Sequence, residues 1–280
     1  MDRTATRRRF LAGGAVAALT SLAGCSGATP FVGKRTESDR TLPLDGVSTL
    51  SVHANVGDVR VVGEDRDDAA VHVVKQASSV TADLSGLTLA VEPDGDHLRL
   101  RTQYEGSTPF FGGTPTMDLS LRVPRSLAVD RVRTTVGDVT ARDVAGNLAA
   151  EATTGDVRLR GVRGTVTAEA STGDVVVDGA DAVGDVSTST GDIDLTVAAI
   201  DGSTRFSAST GDVTAALSPD LDASLTARTN TGDVVVQGLS VTDTTREDGF
   251  VSGTLGDGGP SLTIETNTGD VRLSAYRTDA

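Results

Sequence analysis

The sequence predicts an all-β protein: a β-solenoid of about 18–21 residues per coil, joined to an N-terminal antiparallel β section. Three observations carry this. A Gly-Asp-(Val/Ile) step recurs along the chain, and from Gly137 its spacings are 18, 18, 18, 20, 21 and 37. A period near 20 residues marks stacked supersecondary units. Apolar or small residues alternate with polar ones on both sides of each step, which gives one buried and one wet face. No helical periodicity appears after the first 25 residues.

Taken in chain order, the first element is an address. Thr6-Arg7-Arg8-Arg9-Phe10-Leu11 resembles a twin-arginine export signal, with Arg7 and Arg8 as the pair. The apolar stretch Leu11 to Leu22 follows, too short for a comfortable bilayer span and preceded by basic charge. It ends in Leu22-Ala23-Gly24-Cys25, which looks like a lipoprotein lipobox. Cys25 is the chain's one cysteine, so neither a disulfide framework nor a Cys-rich zinc site is available. Residues 1–25 read as a signal peptide, with Cys25 accepting a lipid that anchors the rest on the outer face of the cell membrane. Residues 26–46 mix small, polar and charged residues without a period and read as a flexible tether.

Residues 47–131 read as the antiparallel section with a first rung. Leu50, Val52 and Ala54 lead to Gly57-Asp58, and Val59 and Val61 follow. The strands Ala70–Val74, Leu87–Val91, His97–Thr102 and Met117–Val123 lack the corner step, and Glu92-Pro93-Asp94-Gly95-Asp96 reads as a hairpin turn. A solenoid end exposes unpaired strand edges, so this section is expected to cap the first coils.

Residues 132–280 carry the repeats, with corners at Gly137-Asp138, Gly155-Asp156, Gly173-Asp174, Gly191-Asp192, Gly211-Asp212, Gly232-Asp233 and Gly269-Asp270. Each unit reads strand, tight corner, strand. Val166, Ala168 and Ala170 precede one corner, and Val175 and Val177 follow it. Leu148, Ala150, Ala152, Val157 and Leu159 fill the same columns one unit earlier. Gly takes a positive φ without a Cβ clash, and Asp can bond backbone N–H groups ahead of it. One such unit buries too little to offset its ordering entropy, so the units must stack. An antiparallel sandwich is the rival arrangement. Thr242–Pro260, rich in Thr, Asp and Gly, is expected to loop out, and the last rung to close the stack near Tyr276.

The segment from Val59 to Val61, the run Leu119 to Leu127 and the Thr-Gly-Asp-Val series ending at Val271 together resemble a prokaryotic family of β-strand-repeat proteins of largely unknown function, to which the name adhesin is attached by inference. The resemblance covers about 47–275. It implies a repetitive β-fold and frequent cell-surface placement, and it brings no established enzymatic activity.

Charge narrows the partners. The chain has 39 acidic and 25 basic residues, a formal net charge of -14. Removing residues 1–25 leaves 38 acidic and 21 basic residues, a net of -17. Such a chain lacks the basic footprint of a duplex-binding protein, so no nucleic-acid partner is expected. Only Lys34 and Lys75 are lysines, and this acid-rich, Lys-poor make-up resembles proteins of halophilic archaea. At molar salt the Debye length falls to about 3 Å and so high a surface charge is tolerable.

No cofactor or metal is expected. The corner aspartates could attract cations, but the Gly-Gly-x-Gly part of a calcium-binding β-roll is missing, and the structural reading is preferred. Arg158, Arg160 and Arg163 crowd one coil, yet Val176, Asp194, Thr214 and Val235 stand in the following coils, so no basic stripe continues. His53, His72 and His97 read as solvated strand residues, and Phe110-Phe111 as a loop folded onto the domain end or, alternatively, an exposed apolar tip that contacts a partner or the membrane. The function read from these features is a non-enzymatic surface lipoprotein, an adhesin or envelope scaffold that meets a surface glycan or an envelope protein. The alternatives are a polysaccharide-binding module or polysaccharide-active β-helix, and an accessory subunit of a membrane complex.

Overall fold

The computed structural model describes residues 33–80, 82–105 and 114–276, which form strands and turns without a helix. The chain runs β1 (Lys34–Leu42), β2 (Thr49–Val56), β3 (Val59–Glu64), β4 (Ala69–Ala77), β5 (Leu87–Asp94), β6 (His97–Tyr104) and β7 (Thr116–Pro124). It continues through β8 (Ala128–Val136), β9 (Val139–Arg142), β10 (Leu148–Thr154), β11 (Val157–Arg160), β12 (Thr165–Thr172), β13 (Val175–Ala180), β14 (Ala182–Thr190) and β15 (Ile193–Val197). The remainder is β16 (Thr204–Thr210), β17 (Val213–Leu217), β18 (Ala223–Thr231), β19 (Val234–Gln237), β20 (Val241–Glu247), β21 (Phe250–Leu255), β22 (Ser261–Thr268) and β23 (Val271–Ala275).

Each coil contributes its strand before the corner to one sheet and its strand after the corner to the other. The first sheet holds 11 strands in the order β1-β4-β7-β3-β9-β11-β13-β15-β17-β23-β19. The second holds 12, in the order β20-β21-β18-β22-β16-β14-β12-β10-β8-β2-β6-β5. Successive coils pair in parallel and in register: Val157 faces Val139 on one side and Val175 on the other. The fold is a β-solenoid. Parallel pairing between coils excludes the antiparallel sandwich, and each strand finds its neighbour one turn of the chain away.

The inward columns are buried as the alternation requires. Leu148, Ala150, Val157, Leu159, Val166, Ala168, Val175 and Val177 are all at most 4% exposed. Val234 and Val236 are only partly buried, because β19 is the last strand of its sheet and has no outer neighbour. The column just before the corner holds small buried residues such as Ala152 and Ala170. Where that column holds Thr instead of Ala, the buried hydroxyl donates to a corner glycine carbonyl of the coil before it in the stack: Thr134 to Gly57, Thr188 to Gly173, Thr266 to Gly211 and Thr229 to Gly269.

Three expectations change. Much of the segment read as a tether is strand: β1 pairs antiparallel with β4 and forms the sheet edge. Its exposed Lys34, Arg35, Glu37, Asp39 and Arg40 guard that edge against further pairing. Thr242–Pro260 does not loop out; most of it forms the hairpin β20–β21, with β21 antiparallel to β18. The last rung does not close the stack. β22 lies between β16 and β18, and β23 between β17 and β19, so the coil latest in sequence is inserted one place before the end. The hairpin spans the detour and covers one sheet at that end.

At the other end the antiparallel section caps the first rung. β6 and β7 extend the two sheets in parallel with β2 and β3, and β5 and β4 then pair antiparallel onto them. The division drawn at residue 131 falls inside β8, so cap and repeats share one continuous stack.

Candidate functional site

The corners form a single column. In spatial order it runs Gly57, Gly137, Gly155, Gly173, Gly191, Gly211, Gly269 and Gly232. All have φ between 133 and 143 degrees, a region that L side chains rarely adopt. A Cβ on Gly173 would lie 2.1 Å from the Gly155 carbonyl oxygen, so the corner is glycine for space as well as for φ.

The aspartates answer each other across coils. The backbone N–H of Asp138 donates to Asp58 Oδ1 at 2.9 Å, that of Asp156 to Asp138 at 2.9 Å, and that of Asp174 to Asp156 at 2.8 Å. Asp192, Asp212, Asp270 and Asp233 continue the ladder at 2.8, 2.8, 2.8 and 2.9 Å. At its head Asp58 N–H donates to Asp118, which no corner motif marks in the sequence. The bonds run to the neighbouring coil and not ahead within the same turn. Each carboxylate except that of the terminal Asp233 thus meets an N–H dipole that offsets repulsion from the next one. The Asp270 N–H, helped by Arg272, holds the Asp212 carboxyl below its ordinary value, whereas burial pushes Asp118 up. Among the described residues no group of three or more His, Cys, Asp or Glu could hold a metal ion.

The outward side chains form two polar faces whose charge is uneven. Residues 164–276 carry four arginines against eighteen carboxylates, and residues 33–163 carry sixteen basic against nineteen acidic residues. The basic side chains converge on the first coils. On the 12-stranded sheet, β2 presents Ser51 and His53 between Arg99 and Arg101 of β6 and Arg131 and Arg133 of β8. The result is a trough of about 390 Å³ with guanidinium walls about 10 Å apart at the backbone. Glu151 bridges Arg131 and Arg133 at 2.7 and 3.3 Å, and Asp94 holds Arg99 at 3.1 Å. Burial, then Arg101 and Arg133, lower the pKa of His53. His97 Nε2 sits 2.8 Å from Ser51 Oγ beside the same trough, and His72 Nδ1 lies 2.8 Å from Asp39 on the other sheet.

On the 11-stranded sheet, Arg60, Arg142, Arg158 and Arg160 surround a depression of about 180 Å³ floored by Thr140 and Ala141. Arg158 was visible in the sequence as part of a crowded coil, and the stripe stops after it as the sequence indicates. It extends in the opposite direction, into β9 of the preceding coil and on to β3, whose coil is separated from that of β9 by the cap insertion. The third residue of that crowded run, Arg163, instead reaches the Arg125 carbonyl at 2.5 Å. The export pair Arg7 and Arg8, Cys25, and Phe110-Phe111 lie outside the described residues.

The Toastrack DUF4097 family profile matches residues 42–274. No curated protein matches the chain. Among solved structures, a putative adhesin from Bacteroides fragilis is 14% identical, covers 86% of this chain and 97% of its own, and has a TM-score of 0.48. A putative cell adhesion protein from Clostridium sporogenes is 12% identical, with 87% and 100% coverage and a TM-score of 0.39. A putative adhesin from Parabacteroides distasonis is 12% identical, with 88% and 98% coverage and a TM-score of 0.40.

Proposed function

The chain belongs to the Toastrack DUF4097 family, and from that premise we propose that it is a non-catalytic surface lipoprotein, an adhesin or envelope scaffold held to the membrane through a lipid on Cys25. One observation carries the reading: a ladder-locked parallel stack that presents two polar, in-register faces. Such a body holds exposed side chains at fixed spacing with little loss of entropy on contact, which suits recognition of an extended partner. The arginine pair Arg7 and Arg8 supports export of a folded domain, and the acid-weighted coils support a surface that stays soluble in high salt.

The test is fractionation and surface proteolysis of cells that make the full chain. The wild type should partition with membranes and be cut by external protease, and Cys25→Ser should be released into the medium. A Cys25→Ser protein still held by the membrane, or a wild type protected inside the cell, would overturn the reading. The trough of Arg99, Arg101, Arg131 and Arg133 favours a second role as a polysaccharide-binding module. Binding of the purified protein to a glycan array tests that role, with turnover of uronate polymers as the sign of an enzyme instead.

A further inference from the structure

Arginine clusters on the two faces follow a rule. Arg131 and Arg133 share Glu151, Arg205 and Arg228 share Glu265, and Arg272 is held between Asp212 and Asp270. Arg101 in the first trough has no such partner among the described residues, but its three neighbours are paired; one cluster breaks the rule almost throughout. Arg60, Arg122, Arg142 and Arg160 make no ion pair among the described residues, and Arg158 alone in that group is engaged, by Asp138 and Asp156 at the corner. The cluster is dense. In one row Arg122 faces Val62, then Arg142, then Arg160; in the next Arg60 faces Thr140, then Arg158. Arg142 and Arg160 stand directly opposite on adjacent parallel strands, about 4.8 Å apart at the backbone. Like charges so placed destabilise a sheet. The next residue in that row, Asp178 opposite Arg160, makes no ion pair with it, so no carboxylate bridges these arginines although carboxylates outnumber basic residues in this chain.

We propose that the depression walled by Arg60, Arg142, Arg158 and Arg160 is a binding site for an oxyanion, the sulfate or carboxylate group of an acidic ligand. The oxyanion takes the place that Glu151 and Glu265 hold in the other clusters. Guanidinium forks bind such groups through paired N–H donors. Thr140 adds a hydroxyl at the floor, and a volume of about 180 Å³ admits one such group. The surroundings limit the ligand. Asp138 and Asp156 line the corner side, and Asp178 and Asp194 follow in the next coils, so a long stiff polyanion would meet carboxylates on leaving the site. A compact acidic group on a flexible or small ligand avoids them. This site does not depend on where the protein resides.

The experiment is calorimetric titration of the folded protein with sodium sulfate and with sodium glucuronate, each against sodium chloride at matched ionic strength. One saturable site is expected for sulfate or glucuronate and none for chloride; which of the two binds more tightly tells a sulfate ester from a uronate. Arg142→Gln and Arg160→Gln should each weaken binding at least about fivefold, and Arg228→Gln, at a guanidinium held by Glu265 on the other sheet, should leave it unchanged. Both target side chains are exposed, so folding should be kept; Thr140→Val, with an expected loss of a few-fold, is the second variant should either fail. Absence of a saturable site in the wild type, or equal binding by wild type and Arg142→Gln, would overturn the proposal.

Discussion

Replacing Gly173 by alanine places a Cβ 2.1 Å from the Gly155 carbonyl oxygen, a backbone atom with no rotamer by which to withdraw. The residue would also be held at φ 143, in the range open essentially to glycine. That strain alone is worth about 1–3 kcal/mol. Relieving the overlap requires the two coils to part by roughly an ångström, well beyond ordinary packing tolerance. Three bonds cross the same boundary: Gly155 N–H to Thr172 O at 2.9 Å, Val157 N–H to Asp174 O at 2.8 Å, and Asp174 N–H to Asp156 Oδ1 at 2.8 Å. Weakening them adds roughly 0.5–1.5 kcal/mol each. The expected loss is therefore about 2.5–7.5 kcal/mol. Gly202 is the control. Its φ is 67 and a Cβ there meets nothing within 4 Å, so Gly202→Ala should cost only about 1 kcal/mol. Urea unfolding at fixed salt, followed by circular dichroism, measures both. A Gly173→Ala protein within about 1 kcal/mol of Gly202→Ala would refute the argument that the corner is glycine for want of space.

Further outcomes follow from the same geometry. Thr188→Val removes the buried hydroxyl that donates to the Gly173 carbonyl at 3.0 Å, and should cost about 1 kcal/mol in the same unfolding assay. Burial raises the Asp118 carboxyl, so its ionised form costs stability at neutral pH and that cost disappears as the pH falls below its folded value. Asp118→Asn keeps the acceptor for Asp58 N–H, and should raise the melting temperature at pH 7 but not below about pH 3. The His53 imidazole should titrate below the ordinary 6.5 by NMR, and Arg101→Gln should move it upward. A base with a lowered folded value loses stability as pH falls through 6.5 toward that value, so Arg101→Gln should also reduce the loss between them.

The repeat was legible because the corner imposes a sequence. Gly is required by φ and by the carbonyl beneath it, Asp by the N–H above it, and the alternating Val, Leu and Ala by the two-sheet core. Coils such as Leu148–Arg160 therefore carry their architecture locally. The detour near the C-terminus was not legible in the same way. Gly232-Asp233 and Gly269-Asp270 fit the column equally well, and nothing in either motif states which stands outermost. The order follows from β21, whose antiparallel pairing with β18 takes the outer edge and leaves the inner side of β18 to β22. The capped N-terminal end hid the arginine site for a related reason. Arg60 and Arg142 are far apart in sequence because the cap is inserted between them, and only the pairing of β3 with β9 brings them together. Asp118 belongs to the ladder without a preceding glycine: Met117 occupies that position, since no further coil lies beneath it to demand one.

The most direct test of the stack and its order is disulfide trapping at the outward column in a Cys25→Ser background. Asp194 pairs with Thr214, Thr214 with Arg272, and Arg272 with Val235, all on neighbouring parallel strands. Neighbouring strands place Cα atoms about 4.8 Å apart, within disulfide reach, and strands two apart do not. Cysteine pairs at Thr214 and Arg272, and at Arg272 and Val235, should cross-link on mild oxidation, and a pair at Thr214 and Val235 should not. A cross-link between Thr214 and Val235 with none between Thr214 and Arg272 would show coils stacked in simple chain order and contradict the account.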